Sequence, residues 1–177
     1  MKNIILIGFM GCGKTSVGKR LATTIGSDFL DTDELIEKAQ KRSIREIFDT
    51  DGEAAFRTME TDCLKELLKN KENGFVLSVG GGLPIREENR MLLKQLGDVI
   101  LLQASPDVIY QRVKNDRTRP LLQDKNPRGR ILDLMSARKK YYEDAADHMV
   151  LVDGKTFDEI IEDIMNASEN RSRKEKP

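Results

Sequence analysis

Gly8-Phe9-Met10-Gly11-Cys12-Gly13-Lys14-Thr15 follows the apolar run Ile4-Ile5-Leu6-Ile7 and precedes a stretch in which Val17, Leu21 and Ile25 recur every four residues. A G-x-x-x-x-G-K-[ST] string is short enough to arise by chance, so its context has to support it: a strand before and an amphipathic helix after. The β-branched run suits a parallel strand buried on both faces, and the four-residue spacing marks one face of a helix. Glycines let successive N–H groups turn toward phosphate oxygens, while the helix N-terminus adds partial positive charge. In such a loop Lys14 reaches the β and γ phosphates and Thr15 ligates Mg²⁺. A glycine-rich turn that binds nothing would have no use for the lysine or the threonine. The stretch therefore specifies a nucleotide, but not what is done with it.

The 177 residues fit a single domain, 1–167, followed by a charged tail, 168–177, that lacks apolar residues and is expected to be disordered. Thirty basic and thirty acidic residues cancel, so any anion site must be local, and neither nucleic acid nor a membrane is expected as a partner. No apolar run approaches the ~18 residues needed to span a bilayer. A soluble, cytoplasmic monomer is the expectation. Cys12 and Cys63 form no metal-ligand spacing; Cys63 falls on an apolar helical stripe, and Cys12 reads as a small residue that fits the loop. His148 reads as a strand-edge residue.

Along the chain, Asp28 to Asp31 reads as a second strand, and a helix runs from Asp31-Thr32-Asp33 to about Arg42. Ser43-Ile44-Arg45-Glu46 has the form of a capping box. Asp51-Gly52 interrupts that helix, and a longer one follows with Phe56, Met59, Cys63 and Leu67 on one face, ending at Asn73-Gly74. Phe75 to Val79 is the third strand, followed directly by Gly80-Gly81-Gly82. A helix from about Glu87 to Leu96 leads to the fourth strand, Val99 to Leu102, and Ser105-Pro106 starts the next helix. Residues 116–130 carry five basic residues, two prolines and a glycine, the composition of a mobile basic segment. A helix then bears Ile131, Leu134, Met135, Tyr142 and Ala145, the fifth strand is Met149 to Val152, and the last helix is about Phe157 to Asn166. Alternating strands and helices predict a parallel sheet with helices on both faces, and ligands in such sheets bind at the carboxyl ends of the strands. The phosphate loop, Asp31-Thr32-Asp33 and the glycine run all follow strands, so they should meet.

Asp31 and Asp33 each have an ordinary explanation as an N-cap, but both cannot easily cap one helix. A phosphoryl-transfer site needs acids for the Mg²⁺ shell and for the attacking hydroxyl; Asp31 is assigned to the first task and Asp33 to the second. Arg57 stands four residues after Glu53 and three before Glu60, so a surface ion-pair ladder and a functional role are both open. Arg138 shares helical spacing with an apolar stripe, where an arginine seldom sits without a partner, and its planar fork suits a carboxylate. Arg119, before Pro120-Leu121-Leu122, reads either as a solvated loop charge or as a lid arginine that closes over the nucleotide and excludes water.

These residues resemble the shikimate kinase family from Asn3 to about Lys155. The resemblance rests on Gly8 to Thr15, on Phe29-Leu30-Asp31-Thr32-Asp33, on Gly52-Glu53-Ala54-Ala55-Phe56-Arg57-Thr58-Met59-Glu60, on Gly80-Gly81-Gly82, on Arg119-Pro120-Leu121-Leu122, and on Arg138 with Tyr142. It implies transfer of the γ-phosphoryl group of ATP to the 3-hydroxyl of shikimate. It also implies an α/β fold: a P-loop NTPase of the nucleoside monophosphate kinase type, with a five-stranded parallel sheet flanked by helices, a substrate-binding segment at about 32–60 and a lid at about 116–130. By the same resemblance Asp33, Arg57, Arg138 and the run Gly80, Gly81, Gly82 contact shikimate, the two arginines on its carboxylate, with Glu60 supporting Arg57. Gly11, Cys12, Gly13, Lys14, Thr15 and Ser16 hold the phosphates, Thr15 and Asp31 the Mg²⁺, and Arg119 reaches the nucleotide from the lid. Arg112 and Lys155 fall on the adenine side. Lys14, Asp33 and Arg119 are the catalytic set.

Other readings are another small-metabolite kinase of this fold, for gluconate or a nucleoside monophosphate, a GTP-dependent switch, and a nucleotide-binding relative without catalysis. Asp49-Thr50-Asp51-Gly52 and Asn70-Lys71-Glu72-Asn73 approximate the switch motifs but follow no strand. Paired arginines with a glycine run favour a carboxylated, hydroxylated acceptor.

Overall fold

The computed structural model describes residues 2–70, 74–114 and 126–174, with side chains through Glu169. Five parallel strands form one sheet: β1 (Asn3–Ile7), β2 (Asp28–Asp31), β3 (Phe75–Ser78), β4 (Gly97–Gln103) and β5 (His148–Leu151), in spatial order β2-β3-β1-β4-β5. β1 lies at the centre and every residue of it is buried, which is why its sequence is a continuous apolar run and not an alternating one. Register decides what the sheet presents at its carboxyl edge. Ser78 stands opposite Leu6 on one side and Asp31 on the other, so the segments leaving β1, β2 and β3 start side by side. β3 and β5 each stop one residue short of expectation, yet the Val79 and Val152 N–H groups still bond the carbonyls of Leu6 and Gln103.

Between β1 and β2 runs α1 (Lys14–Ile25), with Val17, Gly18, Leu21 and Ala22 buried. α2 (Thr32–Gln40) ends at Lys41, whose φ of 54° turns the chain slightly before the expected end near Arg42. α3 (Ile44–Asn70) opens on a reciprocal capping box: Ser43 N–H donates to Glu46 Oε2 at 2.7 Å, and Glu46 N–H to Ser43 Oγ at 3.2 Å. Gly52 (φ 82°, ψ 170°) breaks its regular geometry. Ile36, Ile47 and Phe56 form a small core of their own, packed by Ile44, Met59 and Cys63. Burial pushes the Cys63 thiol up to about 11. The most buried face of α3 is not the stripe expected from spacing: Phe56, Glu60, Thr61 and Leu64 are buried, while Met59 and Cys63 are only half-buried.

A short 3₁₀ turn (Leu83–Ile85) leads to α4 (Glu87–Leu96), and α5 (Pro106–Val113) is capped by Ser105, whose Oγ accepts from Val108 N–H. Two expectations are corrected. α6 (Pro127–Ala145) begins inside the segment expected to be a mobile lid: Asn126 caps it by accepting from Gly129 N–H at 3.0 Å, and Pro127 supplies a preset first-turn φ. Residues 115–125, Arg119 among them, lie outside the described residues. α7 (Phe157–Lys174) continues past Asn166 through the start of the tail expected to be disordered. Its buried Ile160, Ile161 and Ile164 anchor it in the main core, Ser168 Oγ donates to Asp98 Oδ2 at 2.8 Å, and extending an anchored helix costs little. Among the described residues no helix is long and apolar enough to cross a membrane.

Candidate active site

The phosphate loop joins β1 to α1 through Gly13, whose φ of 102° is open to glycine and strained for other residues. No side chain caps α1, and its first turn holds no acid. Among the described residues no side chain accepts from the N–H groups there, and the turn lines the crevice, the arrangement that receives an anion. Lys14 Nζ donates to the carbonyls of Gly8 at 2.9 Å and Phe9 at 3.1 Å, holding the ammonium over the loop.

The acids divide their tasks. Asp31 is the N-cap of α2: its Oδ1 accepts from Asp33 N–H at 3.0 Å, while its Oδ2 accepts from Thr15 Oγ1–H at 3.2 Å. A hydroxyl beside a carboxylate is a hard oxygen pair of the kind Mg²⁺ takes together with phosphate oxygens, so these two residues fit that ion. Asp33 does not cap the helix, and its Oδ1 is buried with no hydrogen-bond partner among the described residues. Burial, reinforced by the charge of Asp31, pushes its pKa up to about 6.

Facing it is Glu60, fully buried, with Oε2 accepting from Arg57 Nη1 at 2.8 Å and Oε1 without a partner among the described residues. The two unpartnered oxygens converge: Asp33 Oδ1 and Glu60 Oε1 each lie 3.0 Å from where a Cβ on Gly80 would stand. Burial pushes Glu60 up to about 7, against the pull of Arg57. Burial opposes the Arg57 charge, but hydrogen bonds to Glu60 and Glu53 outweigh it and hold the guanidinium above its ordinary pKa. Arg57 is no surface ladder residue; its side chain is 17% exposed and the guanidinium lies against Gly82, where a Cβ would fall 2.6 Å from Arg57 Cζ.

Side chains of α2 and α6 hold the glycine run. Gly80 N–H donates to Thr32 Oγ1 at 3.0 Å, and Tyr142 O–H donates to the Gly81 carbonyl at 2.6 Å; burial pushes the Tyr142 hydroxyl up to about 12. Arg138, half-buried on α6, places its guanidinium carbon 5.8 Å from the centre of the Phe9 ring. Among the described residues no carboxylate pairs with it.

A cavity of about 850 Å³ is lined by the loop from Met10 to Val17, Asp31, Asp33, Gly80, Gly81, Arg112 and Lys155. Arg112 Nη1 donates to the carbonyls of Gly11 and Cys12 at 3.2 and 3.1 Å, bracing the loop from α5. Lys155 is paired with Asp163. Thr32, Phe9, Arg20, Thr156 and Phe157 also belong to this neighbourhood and escaped the sequence reading. Thr32 alone left a trace, as a small polar residue between two site acids.

A phosphate loop, two acids and a glycine run lining one crevice at the carboxyl edge of a parallel sheet, with the Arg57–Glu60 pair against that glycine run, define a small-metabolite P-loop kinase. The family model for shikimate kinase matches residues 10–169. A shikimate kinase of Thermodesulfovibrio yellowstonii is 45% identical over 97% of this chain and 98% of its own, and one of Pelotomaculum thermopropionicum is 44% identical over 94% and 95%. The structure of shikimate kinase from Acinetobacter baumannii in complex with shikimate superposes with a TM-score of 0.88 at 37% identity, covering 99% of this chain and 96% of that one. A gluconokinase from Sinorhizobium meliloti shares the fold at 16% identity and a TM-score of 0.56. The chain belongs to the shikimate kinase family.

Proposed function

We propose that this chain transfers the γ-phosphoryl group of ATP to the 3-hydroxyl of shikimate, giving shikimate 3-phosphate and ADP. The observation that carries this reading is the Arg57 guanidinium against Gly82, beside Gly80, where buried oxygens of Asp33 and Glu60 without a partner among the described residues converge. Arg57 and Arg138 hold the acceptor's carboxylate, and the run from Gly80 to Gly82 gives a small ring close access to the backbone. Asp33 Oδ1 accepts the hydroxyl proton, and its raised pKa suits that task near neutrality. Glu60 keeps the Arg57 fork oriented.

The N–H groups of Gly11 to Ser16 and the Lys14 ammonium hold the phosphates, with Arg112 and Lys155 on the base side. Thr15 and Asp31 hold the Mg²⁺, which when bound neutralises charge on the phosphate oxygens. Arg119 completes the catalytic set from the lid. In this reading residues 1–167 are one monomeric kinase domain, with a substrate-binding segment at about 32–60.

ADP release from MgATP, followed with a panel of shikimate, gluconate and nucleoside monophosphates, tests the assignment. Shikimate alone should raise the rate far above basal hydrolysis. Stimulation by a different member overturns the acceptor, and stimulation by none overturns the kinase reading.

A further inference from the structure

Asn89, Leu93 and Leu96 form the buried face of α4, and at the first of these positions an asparagine stands where helical spacing would suit another apolar side chain. A polar group at a fully buried position is costly unless it is hydrogen-bonded, and Asn89, 0% exposed, is bonded at both ends of its amide. Its Nδ2 donates to the Leu83 carbonyl at 2.9 Å, and its Oδ1 accepts from the Thr61 hydroxyl at 2.8 Å. A carbonyl can only accept, so the amide has one orientation and its oxygen must face Thr61. The two partners belong to opposite walls of the proposed acceptor site. Leu83 N–H donates to the Gly80 carbonyl at 3.0 Å, closing the glycine run into a turn that moves with the Leu83 backbone. Thr61, buried on α3, follows Glu60 directly and stands one helical turn after Arg57, whose carbonyl lies 3.1 Å from the same hydroxyl.

α3 makes two close approaches to that turn at once. Arg57 Cζ lies 2.6 Å from where a Cβ on Gly82 would stand, and Glu60 Oε1 lies 3.0 Å from the corresponding point on Gly80. Apolar burial is non-directional, so the packing of Phe56 and Leu64 tolerates a small slide or roll of the helix. A hydrogen bond of 2.8 Å in a close-packed interior does not, because its geometry is lost within a few tenths of an ångström. Resting on the function proposed above, we infer that Asn89 is a positioning residue: by tying Thr61 to Leu83 it sets the register of α3 against the glycine run, and so the place at which Arg57 meets the acceptor's carboxylate. The tie joins α3, α4 and the glycine run, all on the acceptor side. Its loss therefore weakens the hold on the acceptor and leaves the nucleotide side as it was.

Steady-state kinetics of the full-length protein with shikimate and MgATP, read beside thermal unfolding, measure this. Thr61→Val keeps the side-chain shape and removes the donor. It should raise the KM for shikimate about fivefold or more, with the KM for ATP and kcat within about twofold of wild type. Thr61→Ser keeps the hydroxyl and should return the KM for shikimate to near the wild-type value. Asn89→Leu removes both hydrogen bonds and is the second variant, with the same expectation should the valine variant not fold. Because the two residues act through one bond, the double variant should raise that KM by less than the product of the single effects. If the pair only fills the core, the variants lower the melting temperature and leave the KM for shikimate unchanged, which overturns the inference and leaves the proposed function standing. Equal rises in the two KM values, or a serine variant no better than the valine one, overturn it as well. A wild type that does not phosphorylate shikimate removes both.

Discussion

Glu60 shows what burial does to one residue. On sequence spacing it is a helical partner three positions from Arg57; in the fold it is a fully buried carboxyl with one oxygen on that arginine and the other turned toward Asp33. Its pKa rises from 4.5 to about 7 and that of Asp33 from 3.8 to about 6, burial being the chief cause for each. Both native values lie above the unfolded ones, so the stability these groups contribute is full below about pH 4 and is lost as pH rises to 7. Glu60→Gln cannot ionise but can still accept from Arg57. Relative to wild type its stability should therefore improve between pH 5 and pH 8, by on the order of 1–3 kcal/mol. Urea unfolding at the two pH values checks this, and parallel pH slopes for the two proteins would refute it.

Among the elements, α3 carries Arg57, the arginine proposed to hold the acceptor's carboxylate, and its course depends on one residue. Gly52 adopts φ 82° and ψ 170°, a region essentially confined to glycine, and a Cβ there would meet no atom within 4 Å. Any effect of Gly52→Ala is therefore backbone strain and not crowding, costing about 1–3 kcal/mol. Relief of that strain would swing the segment bearing Phe56, Arg57 and Glu60. The expected kinetic signature is a KM for shikimate raised severalfold with the KM for ATP little changed. Equal changes in both, or a lower melting temperature with both unchanged, would show that the kink does not set the acceptor site. The Asp51-Gly52 break was legible because glycine after an acid is a local signal. The burial of Glu60 was not, since helical spacing alone cannot say which face the rest of the chain covers.

For the whole molecule, the proposed function has both ligands bind the folded crevice built by several elements, so each should stabilise the fold by mass action. At 100 times its dissociation constant a ligand adds about 2.7 kcal/mol. Thermal unfolding should shift upward with MgADP, further when shikimate is added, and not with gluconate in its place. A shift with gluconate and none with shikimate would argue for the other acceptor without reference to turnover. The same scale explains the corrected chain end. The charged residues from Ser168 onward read as a tail, but Ile160, Ile161 and Ile164 bury one face of α7, and Ser168 ties it to Asp98. A helix nucleated in that way runs on to Lys174.

The sequence by itself determined the phosphate loop, the alternation of strands and helices, and the placing of Asp31, Asp33 and the glycine run directly after strands. Each of these is written in local pattern: glycine where φ must be positive, apolar runs where a strand is buried on both sides, caps where helices begin. Tertiary structure decided which of those residues face one another. Parallel register set the loop, Asp33 and the glycine run side by side; burial raised two carboxyls toward neutrality and pressed Arg57 onto Gly82. Packing laid Arg138 over the ring of Phe9, a residue whose position in the loop motif carried no signal, because a contact between α6 and the phosphate loop exists only once the sheet has brought residues 9 and 138 together.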